Sequence, residues 1–137
     1  MASRTGVGFD FVVGPLESEI MEAAWALGHW ASVGDVLQER ERRGAAIVSY
    51  STIKNVMANL HAKGHLRRRP AGKQNEFTPA LSRDDFARRA VGRVVDPLLR
   101  NHRHPLFAHL VDELLDDEQA IAEFEALIAE RRKARTR

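Results

Sequence analysis

The chain of 137 residues contains no cysteine, which excludes disulfide bonds, thiolate metal ligands and cysteine nucleophiles together. It also lacks any run approaching the roughly 18 consecutive apolar residues that a transmembrane helix requires. No basic segment followed by an apolar stretch opens the sequence, so a secretion signal is not indicated. We therefore expect a globular protein that acts in the cytoplasm and does not enter the membrane.

Signatures of catalysis are missing as well. The sequence has no Gly-x-Ser-x-Gly elbow, no phosphate-binding glycine loop and no His-Glu-x-x-His motif. Its acidic pairs, Asp84-Asp85 and Asp116-Asp117, stand where helix N-termini favour negative charge. We predict that the protein is not an enzyme and uses no cofactor.

One histidine cluster has ligand chemistry, because imidazoles a few residues apart can share a metal ion. Its members are His102, His104 and His109, and the neighbouring Arg100 and Arg103 disfavour a further cation. We assign no metal ligand, and the sequence leaves metal binding by these three histidines open.

Charge is nearly balanced, with 21 Lys and Arg residues against 19 acidic ones, but it is segregated along the chain. Residues 54–73 hold six basic side chains and no acidic one, whereas residues 112–130 hold eight acidic side chains and no basic one. The acidic segment is typical of a solvated helix face. The basic segment indicates a surface that meets an anion.

The N-terminal part predicts an arm and two helices. Residues 1–13 have no sustained period and are expected to form a flexible arm. The first helix begins at Pro15, carries apolar residues at helical spacing and ends at Gly28. A second helix opens with a capping box at Ser32 and ends at Gly44.

A third helix is predicted after the N-cap Ser49, running to Lys63 with Gly64 as its terminator. At 100° per residue its apolar side chains gather on one side, and the opposite side is small, polar and free of acidic residues. A face meant only for solvent would more often pair Glu with Lys four residues apart. This outward face comprises Ser51, Lys54, Asn55, Ala58, Asn59 and Ala62.

The helical spacing of apolar residues ends after the third helix. Residues 65–69 and 75–78 predict two short strands, joined by the turn material of residues 70–74. Three helices followed by a hairpin form the element order of a winged helix-turn-helix, here over residues 14–81. In that fold the third helix enters the DNA major groove and the hairpin lies over neighbouring phosphates.

Residues 82–137 predict a helical dimerisation domain with a frayed basic tail. A capping box at Ser82 opens three amphipathic helices, placed at about 83–100, 105–115 and 117–133. Three short helices cannot bury all their apolar stripes within one chain, so we predict an interlocked homodimer. The fold is thus expected to be mostly α with one small β-hairpin. The residues assigned to dimerisation are Val94, Leu98, Leu106, Phe107, Leu110, Leu114, Phe124, Leu127 and Ile128.

Several short motifs occur in a familiar order. Residues 16–25 read Leu-Glu-x-x-Ile-Met-x-x-x-Trp and residues 32–36 read Ser-Val-x-Asp-Val. Residues 50–64 read Tyr-Ser-Thr-Ile-x-Asn-Val-Met-x-x-Leu-x-x-Lys-Gly, and residues 77–79 read Phe-x-Pro. Over about residues 14–130 this set resembles the penicillinase repressor family, the BlaI, MecI and CopY transcriptional repressors. The resemblance implies a homodimer that represses transcription from an inverted-repeat operator in double-stranded DNA.

The resemblance also implies routes of release, from which this sequence departs. The copper branch binds Cu(I) through cysteines, which are absent here. In the β-lactam branch the repressor is cleaved downstream of a transmembrane sensor protease, so a regulatory protease is an implied partner. The Asn-Phe bond cleaved in some members has no counterpart in residues 98–110. Asn55 and Asn59 stand where members commonly have Thr and Arg, so the preferred operator need not be that of the family.

For DNA binding we expect one set of residues to read bases and another set to contact phosphates. Lys54 and Asn55 are the base-reading candidates, because Lys donates to guanine and Asn pairs bidentately with adenine. Ala58 would meet a thymine methyl, and Asn59 lies toward the flank of the helix. The phosphate contacts are assigned to Ser49, Tyr50, Ser51 and Thr52 on the helix and to Arg67, Arg68, Arg69 and Lys73 on the hairpin.

Two other functions stay open on the sequence. A ligand- or metal-sensing winged-helix regulator would hold an effector in its dimer domain. A protein-interaction module would bind a partner through its helices, and its basic hairpin would be incidental. A steep loss of duplex affinity with rising salt distinguishes a DNA-binding protein from such a module.

Overall fold

The computed structural model describes residues 8–136, and within them it has six helices and one two-stranded antiparallel sheet. The protein is therefore mostly helical with a small hairpin, as predicted. The elements are α1 Pro15–Leu27, α2 Val33–Arg42, α3 Tyr50–Ala62, β1 Leu66–Ala71, β2 Gln74–Pro79, α4 Arg83–Asn101, α5 Arg103–Leu114 and α6 Glu118–Arg135.

Local capping sets where the first three helices begin. Pro15 occupies the first position of α1, where its missing N–H costs no hydrogen bond. At α2 the N–H of Ser32 donates to the Asp35 carboxylate, and the N–H of Asp35 donates to the Ser32 hydroxyl. The Ser49 hydroxyl accepts the N–H of Thr52 at the start of α3. The caps predicted for the second and third helices are thus confirmed.

Apolar side chains of α1, α2, α3 and β1 meet in one core. The helical spacing of these residues turns one stripe of each helix inward. Burying each such side chain stabilises the fold by roughly 1.5–3 kcal/mol. The largest fully buried side chains are Ile20, Met21, Val36, Ile53, Met57, Leu60 and Leu66.

The β1–β2 hairpin, here called the wing, is longer than predicted. Residues 70–74 were expected to form the turn, but β1 continues to Ala71 and pairs it with Gln74. The turn is therefore only Gly72-Lys73. Gly72 has a φ of 65°, and no non-glycine residue in the described chain has a positive φ. This is the pattern of a type II′ turn, whose twist matches that of the flanking strands.

A third extended segment lies beside the wing. Ala31 and Phe77 exchange two backbone hydrogen bonds, each 2.8 Å long. The bridge joins the loop before α2 to β2. It was not predicted, because a single paired residue leaves no period in the sequence.

Of the flexible arm predicted over residues 1–13, the structure describes residues 8–13, and it corrects the prediction for them. Phe9 and Val13 are buried in the core. The ring of Phe9 packs edge-on against Trp25 and Phe86, with centroids 5.4 and 4.8 Å away. Aromatic burial thus orders residues that show no helical or strand period. Residues 1–7 of the predicted arm lie outside the described part of the chain.

By its internal contacts the chain divides into two compact units, between Val91 and Gly92. The boundary was expected at the start of α4, near residue 82. Phe86 and Ala90 of that helix are buried in the core of the first unit, which therefore includes the first part of α4.

The second unit consists of the rest of α4 with α5 and α6. α4 continues through Pro97, and the break before α5 falls at His102. The basic tail of residues 131–137 was expected to be frayed, but it is helical as far as Arg135, where α6 ends. Neither α5 nor α6 has a buried residue.

Candidate nucleic-acid interface

Helix α3 presents two contrasting sides. Ile53, Met57 and Leu60 are fully buried in the core. The outward face is exposed along its length, and no acidic residue occurs in α3. All eight helix residues predicted to contact DNA are exposed: Ser49, Tyr50, Ser51, Thr52, Lys54, Asn55, Ala58 and Asn59.

An ion pair joins the C-terminal end of α3 to α1. The ammonium of Lys63 lies 2.9 Å from a carboxylate oxygen of Glu17. This hydrogen bond, with a second from the Gly14 N–H, lowers the pKa of the Glu17 carboxyl below its usual value. Lys63 therefore has an intramolecular partner, and it was not among the predicted DNA contacts.

One face of the wing carries Arg67 and Arg69. The guanidinium carbons of these residues lie 5.7 and 4.4 Å from the centre of the Trp30 ring. Two nitrogens of Arg69 also donate to one carboxylate oxygen of Glu76, its partner across the strands. Both arginines are exposed and are held side by side on an aromatic surface.

Arg68 lies on the opposite face of the wing. Its cross-strand partner is Phe77, and paired residues of an antiparallel sheet share a face. On this face Leu66 and Phe77 are buried, whereas Arg68 is exposed. Among residues 8–136, neither Arg68 nor Lys73 nor Lys54 has an ion-pair partner. These three cations remain available to an external anion.

The turn that leads into α3 is anchored by a buried cation. Arg40 donates to the Glu19 carboxylate of α1 at 2.6 Å and to the carbonyl of Ala46 at 3.1 Å. Its backbone carbonyl accepts the N–H of Ala45 at 3.0 Å. Sequence reasoning missed this residue, because nothing in the run Glu-Arg-Glu-Arg-Arg distinguishes the buried arginine from the exposed ones.

A second charge cluster lies at the end of α2. Glu39 accepts hydrogen bonds from Arg42 and Arg43, at 2.6 and 2.9 Å. Hydrogen bonding by Arg42, then by Arg43, lowers the pKa of the Glu39 carboxyl to about 2. These two arginines are therefore partly neutralised within the fold.

The family model described as penicillinase repressor matches residues 13–130. The chain belongs to the penicillinase repressor family. Among curated proteins, the comparison finds no match to this chain.

This family consists of transcriptional repressors, which bind DNA and are not enzymes. The resemblance stated from the motifs is thereby confirmed. No helix in residues 8–136 of this family member is long and apolar enough to cross a bilayer.

The second unit of the repressor exposes many large apolar side chains. Within α6 an open hollow of about 300 Å³ is lined by Phe124, Leu127 and Ile128, followed by Arg131, Arg132 and Arg135. Of the nine residues assigned to dimerisation, Leu98, Leu106 and Leu114 are half-buried. The exposed ones are Val94, Phe107, Leu110, Phe124, Leu127 and Ile128.

The three histidines singled out in the sequence lie in and beside α5 of the repressor, and all are exposed. The ring of His109 is 3.9 Å from the Glu113 carboxylate one turn along the helix. Residues 8–136 contain no group of three or more His, Asp or Glu side chains arranged to hold a metal ion. We assign these histidines no role.

Proposed function

We propose that this repressor binds double-stranded DNA as a homodimer and blocks transcription from an inverted-repeat operator. α3 would lie in the major groove, and the wing would lie along the phosphates beside it. The observation that carries the proposal is the outward face of α3, which is exposed, polar and free of acid. A DNA duplex repels carboxylates and attracts cations, so such a face suits a groove rather than bulk water.

The base-reading role falls to the middle of α3. Lys54 and Asn55 are exposed neighbours on α3, and Lys54 has no ion-pair partner within residues 8–136. Lys54 would donate to guanine O6 and N7, and Asn55 would pair with adenine N6 and N7. Ala58 would contact a thymine methyl one turn further on, with Asn59 at the flank.

Phosphate contacts would surround this reading region. The start of α3 offers unpaired backbone N–H groups and the positive end of the helix dipole. The wing adds cations on both of its faces. The proposed phosphate contacts are Ser49, Tyr50, Ser51 and Thr52 on α3 and Arg67, Arg68, Arg69 and Lys73 on the wing.

The exposed apolar surface of the second unit supports the proposed homodimer. Eight large apolar side chains of this unit are exposed within residues 92–136, and a cluster of exposed apolar side chains is typical of a protein–protein contact. A second copy would cover them with the same residues, as two-fold symmetry requires. Two copies related by that symmetry would read two half-sites in opposite orientation, which defines an inverted repeat.

Release of the operator is the regulated step of this proposal, and the cytoplasm is the compartment in which it would occur. A regulatory protease is the partner that the resemblance implies. Such a protease would have to cleave a bond other than Asn-Phe in residues 98–110, because that pair is absent there.

Selection from a random duplex library with the full-length protein tests the proposal. We expect the enriched duplexes to contain two inverted copies of one short sequence. Their affinity should fall steeply between 50 and 200 mM salt, by roughly 10³-fold if about six phosphates are contacted. Failure to enrich any sequence, with no retardation of duplex DNA at low salt, would exclude this function.

A further inference from the structure

Ile47 is the most exposed large apolar residue of the described chain, with 97% of its surface accessible. It stands in the turn between α2 and α3, two residues before the Ser49 cap. The other exposed large apolar residues of the first unit retain about half of their surface, as Phe11 does at 54%. An apolar side chain so fully hydrated gains more from a partner than any other in this unit.

The exposure of Ile47 arises in a turn that is held in place. The carbonyl of its neighbour Ala46 accepts a hydrogen bond from the buried Arg40. On the other side Val48 packs against the core, and the Ser49 hydroxyl caps α3. The backbone on both sides is therefore tied down, and Ile47 is presented outward.

We propose that Ile47 is an apolar DNA contact that meets the 5-methyl group of a thymine at the edge of the major groove. The inference rests on the proposed DNA-binding function and deepens it. In helix-turn-helix proteins the N-terminal part of the recognition helix enters the major groove, and Ile47 stands three residues ahead of α3, beside the phosphate contacts proposed for Ser49 to Thr52 at the groove edge. Ile47 thereby adds a preference for thymine beyond the pairs read by Lys54 and Asn55.

The chemistry of the major groove identifies the thymine methyl as the partner of Ile47. Among the base edges of the major groove, the thymine methyl is the apolar one, and the others are hydrogen-bond donors or acceptors. The Ile47 side chain neither donates nor accepts a hydrogen bond, so its burial is favourable only against an apolar partner. Residues 43–75, which include the turn, hold no acidic side chain that would keep a duplex away.

The test uses the full-length protein and a duplex that the wild-type protein has selected. Ile47→Ala should weaken binding to this duplex by about fivefold to tenfold, because part of an apolar contact is lost. The slope of log affinity against log salt should not change, since no charge is removed. Ile47→Leu is the matched control, and it should retain most of the affinity.

Replacing thymines one at a time by deoxyuridine removes single methyl groups from the same duplex. At one position the wild-type protein should lose about the same factor as the Ile47→Ala variant, and the variant should lose nothing further. If Ile47→Ala binds like wild type, or if no deoxyuridine position is coupled to it, the proposal is overturned. If wild-type protein binds no duplex at all, the proposed function itself has failed.

Discussion

Arg69 lies over the Trp30 ring at 4.4 Å from its centre, and the same guanidinium donates to Glu76. Trp30 belongs to the loop before α2, whereas Arg69 and Glu76 belong to the wing. The contact therefore connects the wing to the helical body through an aromatic surface as well as through the Ala31–Phe77 bridge. The contact also restricts the side chain of Arg69, which would otherwise sample many rotamers.

Replacing Trp30 by Leu should weaken duplex binding by roughly threefold to tenfold, because Arg67 and Arg69 lose their shared support. The salt dependence should stay as in wild type, since every charge remains. Affinities measured by fluorescence anisotropy at several salt concentrations check this prediction. A variant that binds as tightly as wild type would show that the stacking does not prepare the wing for DNA.

Arg68 has no ion-pair partner within residues 8–136 and should act as a simple phosphate contact. Arg68→Ala should weaken binding to selected and unrelated duplexes alike, and it should reduce the salt slope by about one. Arg88→Ala removes an exposed arginine paired with Asp85 on α4 and serves as the control. Equal slopes for all three proteins would contradict a phosphate contact at Arg68.

Asn55 is expected to read a base. Asn55→Ala should cost roughly 1–3 kcal/mol on the selected duplex, because a bidentate pair with adenine is lost, and little on unrelated DNA. Competition titrations with both duplexes give the two values. Losses of the same size on every sequence would assign Asn55 to the backbone and not to a base.

Dimerisation is predicted to depend on apolar side chains of α5 and α6. Leu110→Asp and Phe124→Asp should each yield monomers in sedimentation equilibrium, because a buried carboxylate would have no partner in the interface. Operator affinity should then fall by roughly 100-fold or more, as two linked half-site contacts become separate. Gln119→Asp puts the same charge on a polar, exposed position of α6 and should leave the dimer intact. If both test variants remained dimers, the proposed interface would be contradicted.

The Glu39 cluster predicts a pH dependence of stability. Its pKa is about 2 in the folded protein and about 4.5 in an unfolded chain, so Glu39 stabilises the fold above pH 4.5. That stabilisation is lost as pH falls from 4.5 toward 2. The free energy of unfolding of wild type should therefore decline more steeply over this range than that of Glu39→Gln. Urea titrations check this, with the exposed Glu41→Gln as control, and parallel curves for all three would contradict the prediction.

Much of the first unit was predictable because its signals are local. Caps at Ser32 and Ser49 and the apolar spacing in α3 act within a few residues, and each appears where it was predicted. The hairpin was also predicted, since its strands and glycine turn are adjacent in the chain. Its length was underestimated because Pro70 and Ala71 resemble turn residues in composition but lie in a strand.

What escaped prediction depends on contacts between distant segments. Arg40 is buried only because Glu19 and Ala46 meet it from two other segments of the fold. Trp30 supports two wing arginines that lie far from it in the sequence. Ile47 was passed over for a related reason: a lone apolar residue in a turn has no pattern, and only the fold shows which way it faces.

The burial of Phe9 sets where a useful fragment of this protein has to start. Its ring closes one side of the aromatic cluster around Trp25 and Phe86, and Arg83 stacks on it at 5.2 Å while paired with Glu22. A DNA-binding fragment trimmed to the first residue of α1 would leave these rings facing water. Phe9 and Val13, which precede the first helix and show no helical or strand period, thus belong to the hydrophobic interior.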